Sequence, residues 1–159
     1  MHNDIALAEL FEMICTQAYQ ERKCVDAGAL SYSVSVTRTD EGAVIKAKRK
    51  MPTVGFPSLL RRFVPAGVVS TETVSWGPAA ADGSRTGDLH VSFHGTPASM
   101  NGTIRIVADG AGSAVLVDAQ FKANVPLVGG KVERIAAPII LAVIDAEEAT
   151  GQAWARGVR

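Results

Sequence analysis

"VPLVGGKVER" (125–134) joins the two longest patterned stretches of the chain, and its reading decides how they are connected. Behind it lies strict alternation, with Val115, Val117, Ala119, Phe121, Ala123 and Val125 on one face and Leu116, Asp118, Gln120, Lys122 and Asn124 on the other. A period of two is the mark of a half-buried β-strand. Ahead of it, from about residue 132, Val132, Ile135, Ile139, Val143, Ala146, Thr150 and Trp154 recur at three- and four-residue steps. That is the stripe of an amphipathic helix. Pro138 falls inside the run and predicts a kink or a late helix start, because it removes a backbone donor and crowds the preceding turn.

Strand, glycines, lysine, helix is also the order of a phosphate-cradling loop. The required spacing, G-x-x-x-x-G-K-[ST], is not met: Val125 stands where the first glycine belongs, and Val132 where the magnesium-binding hydroxyl belongs. Gly129 and Gly130 therefore read as turn residues that take the chain from sheet to helix through dihedrals closed to other residues. Gly130 and Lys131 remain a candidate anion site, since a helix start presents free amides.

Upstream the pattern is a helix over about 4–22, then strands. Leu7, Leu10, Phe11, Ile14 and Ala18 share the helix face, with Asn3 or Asp4 as a cap. Strands follow at 30–37 and 43–51 across the "TDEG" turn, then at 68–76, 88–95, 103–109 and 113–125, with turn-rich connectors. "PTVGFPSLLRRFVPAG" (52–67) interrupts them with a short proline-bracketed helix. Helix, antiparallel meander and long helix make an α+β fold, in which the terminal helix is the one element long enough to cover the sheet. The whole chain, 1–159, reads as a single domain.

Composition narrows the function classes. Acidic and basic residues balance to a formal net charge of zero, which argues against nucleic-acid binding. No run of eighteen apolar residues predicts a transmembrane helix, and no basic-then-apolar leader is read at the N-terminus. Cys15 and Cys24 have no zinc-ligand spacing and read as packed thiols, with a reducing, cytoplasmic setting as the default. His90 and His94 alternate with Leu89, Val91 and Phe93, so they point to solvent, about 13 Å apart by strand rise and too far for one metal ion. No metal or other cofactor is expected.

The residues "STETVSWGPAAADGSRTG" (70–87) and "KANVPLVGGKVE" (122–133), with the helix after them, resemble the START-like helix-grip (SRPBCC) superfamily. More narrowly, they resemble an actinobacterial subfamily of unknown function. The resemblance implies a curved antiparallel sheet wrapped around the C-terminal helix, often with a cavity between them. It also implies an opening strand before the first helix, lying between the second and last strands. Here the helical pattern begins almost at Met1, so that strand looks missing, as a late start codon or a truncation would make it. Its absence would leave sheet edges near 30–39 and 113–125 unpaired and would predict a homodimer or a rearranged edge.

The candidate cavity residues are Tyr32, Arg49, Glu72, Trp76, Phe93, Phe121, Ile135, Ile139 and Val143. Arg49 stands out: Lys46, Lys48 and Lys50 take one face of their strand and leave Arg49 with Ile45, Ala47 and Met51 on the apolar face. There it needs a partner, for which Glu72 is the candidate, or it anchors the acidic head of an apolar ligand. Phe56, Leu60 and Phe63 are lid candidates. The resulting expectation is noncatalytic binding of a small apolar or amphiphilic, lipid-like molecule. Two alternatives stay open: a cyclase- or hydrolase-like enzyme using Arg49 and Glu72, and an assembly module acting through exposed sheet edges.

Overall fold

Alternation along each strand and short turns between them produce one antiparallel sheet of seven strands. The structure, a computed structural model, describes residues 1–159. In chain order the elements are β1 (His2–Asn3), α1 (Leu7–Ile14), α2 (Gln17–Asp26), β2 (Ser31–Arg38), β3 (Ala43–Met51), α3 (Ser58–Arg61), β4 (Val68–Trp76), β5 (Arg85–Phe93), β6 (Ala98–Asp109), β7 (Gly112–Ala123) and α4 (Gly129–Ala155). The sheet order β1-β7-β6-β5-β4-β3-β2 puts sequence neighbours side by side from β2 to β7 and brings the N-terminus to the far edge. The result is a half-barrel with the long α4 along its concave face, an α+β arrangement compatible with a helix grip.

Three expectations are corrected. The opening strand is present, as a two-residue stub: His2 pairs with Ala114 and Asn3 with Ser113, and the Met1 carbonyl accepts from the Val115 amide at 2.8 Å. It is too short to show alternation, so no sequence pattern announces it. The edge of β7 is thus covered at its start. At the opposite edge β2 has no strand partner beyond β3, but the Gln17 side chain donates to the Val34 carbonyl at 2.8 Å.

The N-terminal helix is two helices. The break falls at Cys15–Thr16, where the buried Gln20 side chain donates to the Ile14 carbonyl at 2.6 Å and holds the bend. Finally, α4 begins at Gly129 and runs through Pro138, whose ring lies on the exposed face. Tertiary packing on either side holds the helix across the missing donor.

The sheet-to-helix turn also works differently from its sequence reading. The left-handed residue is Leu127, with φ +68°, and neither Gly129 nor Gly130 has a positive φ. Gly129 is needed for space instead: a Cβ there would run into the Ala123 carbonyl. The helix start packs directly on the end of β7 because that side chain is absent.

The core has two parts. At one end of the half-barrel, α1 fills the concavity with Leu10, Phe11, Met13 and Ile14 against Ala43, Ile45, Val74, Trp76, Leu89, Val91, Ile106 and Val115. The Phe11 and Trp76 rings meet edge-on at 6.0 Å, and the Arg85 guanidinium lies 4.0 Å over Phe11. At the other end, a smaller cluster of four buried side chains, Leu60, Ala123, Val132 and Ala136, joins α3 and α4 to the end of β7.

Candidate functional site

The difference between the two ends leaves a cavity of about 250 Å³ under α4 between Val132 and Glu147. Its sheet wall carries Val91, Phe93, Met100 and Phe121, with the Phe93 and Phe121 rings edge-on at 5.5 Å. Ile139, Ile140 and Val143 from α4 form the opposite wall. Phe56, Leu60 and Phe63 come over from the segment between β3 and β4. That segment carries an isolated α3 of four residues between Pro57 and Pro65, so its apolar side chains are held by packing on α4 rather than by helix length.

The polar end of the cavity is an ion cluster on its floor. Arg49 Nη1 donates to Glu147 Oε1 at 2.8 Å, and Arg49 Nη2 donates to Glu72 Oε2 at 3.2 Å. Lys23 Nζ lies 3.1 Å from the other Glu147 oxygen. β3, β4, α2 and α4 each contribute one member, so the cluster ties both helices to the sheet. Burial alone would raise the Glu147 carboxyl; the charges of Lys23 and then Arg49, with their hydrogen bonds, outweigh it and hold the group down at about 2. Burial likewise lowers Lys23 and Arg49 on its own, and the two carboxylates more than reverse that, leaving both raised. The cluster sets two basic side chains, Lys23 and Arg49, against two carboxylates, Glu72 and Glu147.

Of the residues expected at the site, Arg49, Glu72, Phe93, Phe121, Ile139, Val143, Phe56, Leu60 and Phe63 line this cavity. Three do not. Tyr32 is opposite Arg49 in the β2–β3 register but stands on the outermost strand, past the ion cluster, and is 42% exposed. Trp76 is buried in the filled end and lines a separate hollow of about 60 Å³. Ile135 packs against the Leu60–Val132 cluster without reaching the cavity. Alternation reports which face a residue takes, but not its position along or across the sheet. Gly130 and Lys131 are exposed at the start of α4 and do not line the cavity.

Arg49 and Glu72 do meet, although two residues out of direct opposition: Arg49 pairs with Ser70 and Glu72 with Ala47, and the long side chains close the diagonal. Sequence reasoning missed Lys23 and Glu147. For Glu147 a signal existed, since it lies four residues after Val143 and puts a carboxylate on the helix face that meets the sheet. Lys23 had no comparable mark, because α2 is too polar to show which of its faces is inward.

Elsewhere, His90 bonds Asn101 at 2.5 Å and His94 bonds Thr71 at 2.8 Å, both on the exposed face of the sheet. No group of three histidine, cysteine or carboxylate side chains is placed to hold a metal ion. Cys15 and Cys24 are buried and unlinked, and burial pushes both thiols up, away from the reactive thiolate. No helix is long and apolar enough to cross a membrane.

No curated protein matches the chain. A family model described as "Protein of unknown function (DUF2505)" matches residues 1–155, nearly the full length that builds the half-barrel, the cavity and α4, and the chain belongs to that family.

Proposed function

We propose that the chain is a noncatalytic binder of a small apolar or amphiphilic, lipid-like molecule, held between the sheet and α4. Kinship with the wider START-like superfamily is part of the same reading. The observation that carries it is the asymmetry of the cavity: about 250 Å³ with largely apolar walls and its charged groups gathered at Arg49, Glu72 and Glu147. Such a shape suits a molecule with an apolar body and one polar head. The same cluster weighs against the enzyme alternative, because Arg49, the group expected to act on a substrate, is already held by both carboxylates.

Native mass spectrometry of the protein as purified, together with titration of the uncharged fluorophore phenylnaphthylamine, tests the reading. A retained small molecule or saturable fluorescence is expected, and Val143→Trp, which fills the cavity, should abolish the signal without unfolding the protein. If neither a retained molecule nor saturable binding is found, the reading fails. One observation favours a second, assembly role: the eight-residue β2 has an open outer edge, half of a sheet-extending pair. A homodimer through that edge would appear as a doubled mass in the same spectrum, and a monomer at all concentrations removes that role.

A further inference from the structure

The charge state of the cavity floor restricts what the polar head can be. Arg49 on its own would be the natural anchor for a carboxylate. It is already bound by Glu147 and Glu72, and Lys23 shares Glu147, so two cations face two anions in a half-closed, largely apolar space. The side chains of Arg49 and Glu147 are only 9% and 12% exposed. At such a site an added charge has no countercharge waiting for it and gives up its hydration on entry. A ligand carboxylate would bring a third anion against Glu72 and Glu147. An ammonium would bring a third cation against Arg49 and Lys23.

The cluster nevertheless keeps unused hydrogen-bonding capacity. Glu72 accepts from Arg49 through Oε2, while its Oε1 takes no hydrogen bond from the protein. A guanidinium has five N–H donors, and Arg49 gives one to Glu147 and one to Glu72. Both residues line the cavity and touch each other, so its polar end offers an acceptor and donors beyond those the cluster uses. A hydroxyl matches that pair, since it donates one hydrogen and accepts at its oxygen.

We infer that the cavity selects an uncharged alcohol-type head, bridging Glu72 Oε1 and an Arg49 N–H, over a carboxylate or ammonium on the same apolar chain. This rests on the ligand-binding reading above and names the class of ligand for it. It also reverses the role that the sequence suggested for Arg49: the arginine is the donor half of a neutral site, and its neutralisation is what excludes acids.

The test is displacement of phenylnaphthylamine by decanol, decanoate and decylammonium at neutral pH and low salt. Decanol should bind tighter than either ion by about tenfold or more. Decanoate or decylammonium binding as tightly as decanol overturns the inference while leaving the cavity reading intact. If the fluorophore and all three chains fail to bind, both fall together. Glu72→Gln provides the sharper check, because it leaves the floor with one net positive charge. In that variant decanoate should gain on decanol by about tenfold, and an unchanged ranking in a variant that melts cooperatively overturns the assignment. Should the variant not fold, the three-ligand series on the natural protein decides alone.

Discussion

The two ends of the half-barrel share the same strands, yet one is a filled core and the other a cavity. At the filled end α1 lies inside the curl and delivers Leu10, Phe11 and Ile14 onto β3–β7. At the open end the covering elements are α4 and the four-residue α3, which meet the sheet around Ala123 but leave the space over Val91, Phe93, Met100 and Phe121 unfilled. The ion cluster sits between them: Glu72 and Glu147 line both the large cavity and the small hollow beside Trp76. One end therefore supplies stability, and the other trades packing for volume.

If that division is right, equal truncations should have unequal effects. Leu10→Ala removes a side chain with no exposed surface and should destabilise by about 3–5 kcal/mol. Ile139→Ala enlarges a space that is already open and should cost about 1 kcal/mol. Urea denaturation of the two variants compares them directly, and equal losses would mean that the open end is as closely packed as the other.

Next in size is the boundary cluster. Glu147→Gln leaves Lys23 and Arg49 short of a countercharge and should cost about 3 kcal/mol near neutral pH. Because the folded carboxyl sits at about 2 and an unfolded glutamate at about 4.3, the natural protein carries this stability in full above the unfolded value. It loses it as the pH falls from about 4.5 towards 2. Melting temperatures across that range should fall more steeply for the natural protein than for Glu147→Gln.

The joint between β7 and α4 sharpens the comparison at the open end. Gly129→Ala drives a methyl into the Ala123 carbonyl and should cost about 1–3 kcal/mol, because the helix start must move off the strand. Leu127→Gly should have the smallest effect and the opposite sign. Leu127 is fully exposed at φ +68°, so glycine relieves a left-handed backbone and should stabilise by up to about 1 kcal/mol. Thermal melts read both changes. A destabilised Leu127→Gly would show that the exposed side chain has a contact of its own.

The legible parts of the molecule share a physical cause. β4, from Val68 to Trp76, matches its sequence-derived limits because its alternation and flanking turns are local properties. The identity of α4 as the long covering helix was legible for the same reason. What was lost was lost where short elements or tertiary partners decide. A two-residue β1 has no period to detect, and the break between α1 and α2 depends on a buried Gln20 side chain reaching back to Ile14. Sequence reasoning placed Arg49 on the apolar face and named Glu72 as its partner; the helical stripe puts Glu147 on the sheet-facing side of α4, but nothing local says that it meets Arg49, 98 residues away.

Sequence alone determined the fold class, the inward faces of the strands, the failure of "VPLVGGKVER" as a nucleotide loop, and its place as the joint between sheet and gripping helix. These follow from periodicity and spacing, which act over a few residues. Tertiary structure alone decided that Gly129 is there for space and Leu127 for the turn, that Trp76 belongs to a filled end and Phe121 to an open one, and that Arg49 is neutralised. Those outcomes depend on which distant surfaces meet and how much bulk each brings, and no local pattern carries that information.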